Sequence, residues 1–363
     1  MHTMGFENIR DQEIMKQLTI AVPAFNSEKF LHICLDSMAG LDDRLEIIVI
    51  NDGSVDGTLQ VAKEYEEKYP DQIVVIDKEN GGHGSGINVG LEIARGRFYK
   101  VVDSDDWIES DNLKKILDAL ERSSADTVVT GYKSVNMRSG NVIEYPVVIP
   151  KENDSEETQI YGAEIPMETF AIIFDQMATS YSFHGLCYRT EFLREIDFSV
   201  SEKVFFEDQE YAILPFLFVK TILLLPYFFY DYQIGSAGQS VDFTNQARRA
   251  NDLKQVYTKM MDYYHFRKPQ EDYRKRFFVK RLAISLVSYY AVVLVKSDDK
   301  QMGRKEAEGL RTYVMQLEPM IQQHAEKRYQ VMKLASHIPF AGSLYYKLFD
   351  SKNYTKFKKT WNK

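Results

Sequence analysis

Apolar positions in the first third of the chain fall in short unbroken runs. "LTIAVPAF" (residues 18–25), "LEIIVIND" (45–52), "QIVVID" (72–77), "RFYKVVD" (97–103) and "ADTVVTGY" (125–132) read as strands. Runs without polar alternation are what a strand buried on both faces requires. Between them the apolar positions recur at helical spacing, over residues 28–39, 58–69, 86–96 (ended by Gly96) and 110–122. Strand and helix in alternation predict an α/β fold, a Rossmann-like, mostly parallel, doubly wound sheet flanked by helices. "FHGLCYRTEF" predicts a strand and turn returning onto that sheet, and "PFLFVKTILLLPYFFY" a core strand with a loop. After about residue 246 the periodicity is helical throughout, which predicts a C-terminal helical subdomain. The expected organisation is an extension over 1–17, a main domain over 18–245 and the helical part over 246–363.

Polar residues interrupt the strand ends. "PAFNSE" follows the first strand, "NDGSVDGT" the second, "NGGHGSG" the third and "DSDDW" the fourth. Open parallel sheets bind ligands beyond the carboxyl ends of their strands, so four polar loops on one rim predict a site there.

Each loop has a chemical and a plain reading. Asp52, at a strand tip, could accept a bond from a nucleoside, or Ser54 and Asp56 could simply build a turn and a helix cap. "NGGHGSG", with Gly82 and Ser85, offers backbone N–H groups before a helix, which suits a phosphate. It lacks the Lys-Ser/Thr of a P-loop, and no dinucleotide-binding glycine pattern follows the first strand. Asp103 and Asp105 carry hard oxygens one residue apart, suited to Mg²⁺ or Mn²⁺ bridging to a diphosphate. Ser104 or Asp106 could instead cap the next helix. Glu207 and Asp208, in "KVFFEDQEYAIL", are either helix-start acids or a general base in a partly apolar setting. His83 and His184 could be polar contacts in the rim or ordinary structural histidines.

Charge and composition narrow the class. The 363 residues are 44% hydrophobic and 27% charged, with a formal net charge of −8, which disfavours general nucleic-acid binding. Two cysteines, Cys34 and Cys187, make no disulfide framework and no metal spacing, in keeping with a reducing cytoplasm. The N-terminal stretch does not read as a signal peptide, and Met15 could serve as an alternative start. "LAISLVSYYAVVLV" is shorter than the roughly 20 residues a membrane span needs, so a buried helix is expected. Residues 327–363 hold nine Lys/Arg against one acid, Asp350, with interleaved aromatics. Such a tail either frays in solvent or rests on anionic lipid at the inner face of a plasma membrane.

The four loops in this order, with "FFEDQEY", resemble the inverting family 2 glycosyltransferases of the nucleotide-diphospho-sugar (GT-A) fold, over roughly residues 18–241. The resemblance implies that Pro23, Ala24, Phe25, Glu28 and Asp52 line the nucleoside. It implies that Asp103 and Asp105 form the acidic (DXD) metal motif, with Asp105 the principal ligand, and that Asp208 is the base. Gln239 and Ser240, in "GSAGQSV", would contact the diphosphate. It further implies a hexosyl- or N-acetylhexosaminyltransferase using a nucleoside-diphosphate sugar, a UDP-sugar before others, with Mn²⁺ or Mg²⁺. The acceptor would be a saccharide, lipid-linked saccharide or glycoprotein in bacterial cell-surface glycan synthesis, with oligomerisation left open. Where many relatives have Arg-Asn, this chain has Ile87-Asn88, so a cation such as Arg248 or Arg249 would have to replace that arginine. A sugar nucleotidyltransferase and a non-catalytic nucleotide-sugar binding protein are the alternatives.

Overall fold

The computed structural model of the chain describes residues 14–147, 160–176, 182–235 and 247–338. Gln239, Ser240, most of the N-terminal extension and the tail beyond residue 338 lie outside the described residues. Strands β1 (Leu18–Ala24), β2 (Leu45–Asp52), β3 (Ile73–Lys78) and β4 (Phe98–Val101) pair in parallel, Leu18 facing Leu45 on one side and Phe98 on the other. Every residue of β1 and β2 is buried, which is why their sequences do not alternate.

The remaining strands are β5 (Trp107–Ile108), β6 (Thr127–Asn136), β7 (Val142–Tyr145), β8 (Glu164–Pro166), β9 (Leu186–Arg189) and β10 (Thr221–Ile234). They complete one sheet in the order β3-β2-β1-β4-β9-β6-β10-β5, with β7 beside β6 and β8 beside β10. The fifth predicted strand is β6, but β4 does not pair with it. Antiparallel β9 lies between, pairing Phe98 with Arg189 and Val128 with Cys187. In β10 the pairing with β6 slips between Leu224 and Phe228, bracketing Pro226, which has no N–H to give the ladder.

Helices α1 (Leu31–Asp36), α2 (Thr58–Lys68), α3 (His83–Ile93) and α4 (Ser110–Glu121) connect the parallel strands. The first is six residues long where the periodicity predicts twelve, the chain leaving the helix at Ser37 and turning through Gly40, whose φ is +74°. Helix α4 buries Leu113, Ile116, Leu117 and Leu120, the helical spacing that covers one sheet face. Next come α5 (Met167–Gln176), α6 (Thr190–Glu195) and α7 (Asp208–Ile213), then α8 (Ala250–Arg267), α9 (Asp272–Tyr290), α10 (Lys300–Leu317) and α11 (Pro319–Ala335).

The C-terminal helices share the core of the sheet. Leu253, Phe277, Leu286, Leu310 and Ile321 belong to the same buried cluster as Ala21, Ile48 and Tyr99. Helix α9 runs on through a π-helical stretch to Lys296. By length and composition residues 272–296 could cross a membrane, but 72% of the apolar window is buried, so in this fold it is a core helix.

Candidate active site

The carboxyl ends of β1, β2 and β4 meet on one rim, as the loop pattern predicts. Pro23 and Gly86 are in contact, a Cβ at Gly86 meeting Pro23 Cβ at 2.8 Å. Ala24 is buried, whereas Phe25 is 52% exposed, a flat apolar surface at the strand end. Asn26, in the left-handed region at φ +51°, ties the first loop to the second: its N–H donates to Ser54 Oγ (3.0 Å) and its Oδ1 accepts from Val55 N–H (2.9 Å). Glu28 Oε2 accepts from Gly57 N–H at 3.1 Å. Asp56 accepts from the N–H of Thr58 at 3.0 Å, one residue ahead of Gly57, the N-cap of α2, which has no side-chain capping bond.

Asp52 is buried, and its carboxylate is engaged inside the protein. Lys78 Nζ donates to it at 2.6 Å, and the N–H groups of Gly81 and Gly82 at 2.8 Å each. The glycine-loop N–H groups expected to face a phosphate at Gly82 are therefore turned inward, because the buried carboxylate requires donors. Ser85 is also buried, its Oγ without a hydrogen-bond partner among the described residues. The loop is instead a packing surface for residues 200–207. Gly81 O accepts from Lys203 N–H (2.9 Å), and Asn88 Oδ1 and Nδ2 bond Val200 N–H and O at 2.9 and 3.0 Å. At Gly84 a Cβ would lie 2.1 Å from Ser201 O and 3.1 Å from Glu207 Cγ. Gly84→Ala is therefore expected to force these loops apart and destabilise the fold by about 1–3 kcal/mol, read by thermal unfolding.

The four residues Asp103 to Asp106 divide into two kinds. Asp103 and Asp105 are partly exposed on the rim. Asp106 points inward, 1% exposed, accepting from Tyr230 Oη and from Gln233 N–H (2.7 Å). Burial, with Asp103 and Asp105 close by, pushes its carboxyl well above the usual range. Ser104 pairs with Ser27 through their hydroxyls at 2.6 Å. Neither residue caps α4, whose N-cap is Glu109, because Asp106 is engaged with β10 and Ser104 with the loop at Ser27. Beneath the loop Lys100 is fully buried, donating to the carbonyls of His184 (2.6 Å) and Leu186 (3.2 Å); burial pulls its amine down to about 8.

Asp103 and Asp105 fit a divalent cation on the chemistry of the donor set. Mg²⁺ takes one or two carboxylates and completes its shell with water and substrate phosphate. The two rim carboxylates supply that much, Asp103 while its Oδ1 also meets His83 Nε2; both oxygens of Asp106 bond inward to β10. Among the described residues no group of three or more His, Cys, Asp or Glu side chains is arranged as a protein-only cage.

The acid pair arrives from the opposite loop. Asp208 is the first residue of α7, and Glu207 before it is buried. Lys203 and Phe206, at φ +57° and +74°, hold left-handed backbone that non-glycine residues rarely adopt, strain that the surrounding packing must sustain. Burial first, then the charges of Glu207 and Asp103, push the Asp208 carboxyl up to about 7, with His83 opposing the shift. Glu210, fully buried one turn on, is held by Lys259 Nζ (2.7 Å) and by Ser201 N–H (2.8 Å) and Oγ (2.7 Å), fastening the loop to α8.

His83 joins the two sides. Its Nδ1 lies 2.6 Å from Glu207 Oε1 and its Nε2 2.9 Å from Asp103 Oδ1. Against the desolvation that would neutralise it, Asp103 and Glu207 hold the imidazole well above its ordinary value. His184 behaves oppositely: burial pulls it down to about 4, and it stacks on Tyr232 at 4.4 Å within a cluster that includes Tyr132 and Tyr230. The Arg249 guanidinium sits 3.3 Å over the ring of Phe205. Sequence reasoning left His83 undecided and passed over Lys100, although a lone lysine in the apolar run "FYKVV" is itself a signal.

The chain is similar to known proteins in part of its sequence and in its fold. Residues 19–178 match the glycosyl transferase family 2 profile. Glycosyltransferase GlyA of Streptococcus pneumoniae serotype 4 is 37% identical over 125 residues, covering 34% of this chain and 18% of GlyA. The poly(ribitol-phosphate) beta-N-acetylglucosaminyltransferase TarS of Staphylococcus aureus (strain Mu50 / ATCC 700699) is 28% identical over 229 residues, 62% of this chain and 37% of TarS. The chain thus spans well under two thirds of the length of these relatives. The crystal structure of S. aureus TarS 1-349 in complex with UDP-GlcNAc superposes with a TM-score of 0.62 at 19% identity, over 88% of this chain and 91% of that one, a likeness of fold. With the sheet, the rim and the acid pair in place, residues 19–178 are similar to glycosyl transferase family 2, on a fold like that of TarS 1-349.

Proposed function

We propose that the protein transfers a sugar, with inversion, from a nucleoside-diphosphate sugar to an acceptor hydroxyl on a saccharide of the bacterial cell surface, with Asp208 as the base. The observation that carries the reading is that the Glu207–Asp208 pair at the start of α7 faces Asp103 at the end of β4, in a setting whose burial pushes the Asp208 carboxyl up to about 7. A base with that affinity takes a hydroxyl proton far better near neutral pH than an ordinary carboxylate. UDP-GlcNAc is the first donor to test, since TarS is named as an N-acetylglucosaminyltransferase and was solved with it.

The nucleoside would lie along Phe25, with Asp52 contributing through the loop it holds. A divalent cation on Asp103 and Asp105 would neutralise charge on the diphosphate. Arg249, on Phe205, is the cation that stands in for the arginine absent at Ile87. Asp208 accepts the acceptor hydroxyl proton as that oxygen bonds to the anomeric carbon. The bond from that carbon to the diphosphate breaks, its electron pair leaving with the nucleoside diphosphate. Attack opposite the leaving group inverts the centre without a covalent enzyme intermediate.

The pH–rate profile tests the base. The carboxylate must be free of its proton to act, so kcat/KM should fall about tenfold per unit as pH drops below about 7 and level off above it. A profile flat down to pH 5 would remove Asp208 from the role.

A further inference from the structure

We propose that His83 is a positioning residue for transfer: it ties Asp103 at the end of β4 to Glu207 ahead of α7, and through that tie it sets where Asp208 meets the acceptor. The proposal rests on the transferase reading above and adds a residue that reading does not need.

Both ring nitrogens are committed, Nδ1 to Glu207 and Nε2 to Asp103, residues 124 and 20 positions away. One imidazole thus spans the cation-side acid and the acid pair. Glu207 is buried, and His83 is its side-chain hydrogen-bond partner among the described residues. A buried carboxylate deprived of its donor must move toward water or take up a proton. Asp208 follows Glu207 directly and would move with it. Little in the loop can absorb such a shift. Phe206 before it is held at φ +74°, Gly84 packs on Glu207 Cγ, and Glu210 after it is pinned by Ser201 and Lys259. The imidazole is equally well anchored, since it opens α3 on the loop fastened by Asp52 and by Lys203.

Two substitutions each keep half of the tie. In His83→Asn the amide nitrogen takes the place of Nδ1 and reaches Glu207 but not Asp103. In His83→Gln it takes the place of Nε2 and reaches Asp103 but not Glu207. The full chain and both variants are assayed well below their melting temperatures, with whichever sugar nucleotide the unsubstituted protein turns over in a panel that includes UDP-GlcNAc. The proposal expects kcat to fall about 10- to 100-fold in both, with donor KM changing far less, as for partners that orient a ligand to a reacting centre. Unchanged kcat in either variant overturns it, since half of the tie would then suffice. A rise in KM at constant kcat also overturns it, making His83 a donor contact. Should His83→Asn not fold, the kcat and KM of His83→Gln decide by the same criteria. An unsubstituted protein that turns over no donor would instead overturn the transferase reading on which the proposal rests.

Discussion

Replacing Asp208 by Asn is expected to lower transfer by about 10²- to 10⁴-fold, the range a positioned general base contributes, while donor binding persists. The amide keeps the shape of the side chain at the start of α7 but cannot take a proton from the acceptor hydroxyl. Misfolding is not the expected cause. The folded carboxyl holds its proton up to about 7, against an ordinary value of 3.8. Between those two pH values the folded state binds more protons than the unfolded one, so the contribution of Asp208 to stability declines as pH rises. At pH 8 the amide removes that penalty, and Asp208→Asn should melt no lower than the unsubstituted protein. A lost rate with an unchanged or raised melting temperature and retained nucleotide binding by calorimetry is the expected combination. A surviving rate would assign the base elsewhere.

The second large effect is on the cation. Asp105→Ala, or a chelator added to the unsubstituted protein, should reduce nucleoside diphosphate release by at least about 10²-fold, because a cation at a diphosphate supplies several kcal/mol of charge stabilisation. Asp106 provides the contrast. Its carboxylate anchors Tyr230 and the backbone at Gln233, so Asp106→Ala should lower the melting temperature without changing the Mn²⁺ concentration at half-maximal rate. If Asp105→Ala retained full metal-dependent activity, the cation would have to be held elsewhere.

Much of the fold is written locally. Strands β1, β2 and β4 are legible because each is buried on both faces and so carries an unbroken apolar run, β3 carries one although Val74 and Ile76 are only half-buried, and the rim is legible because polar loops follow each of them. The identity of the neighbour across the sheet is not local. Nothing in "RFYKVVD" or "ADTVVTGY" indicates that "LCYR", more than fifty residues on, lies between them. The same limit governs the site. Asp103, Asp105, Glu207 and Asp208 stand out as acids at element ends, yet the direction of Asp106 depends on Tyr230, 124 residues away. The glycine loop has the composition of a phosphate cradle but works as a packing surface. Its N–H groups answer to Asp52, and its missing Cβ at Gly84 admits residues 200–207. His83 was legible as a residue and illegible as a link, since its two carboxylate partners come from different loops, one after β4 and one between α6 and α7.

The most direct test of the account is to incubate the full chain with a panel of sugar nucleotides, with Mn²⁺ or with chelator, and follow nucleoside diphosphate release. Release from one donor, dependent on the cation and lost in Asp208→Asn, is the predicted result. Release that continues in chelator, or that survives in Asp208→Asn, would contradict the roles assigned to the two sides of the site.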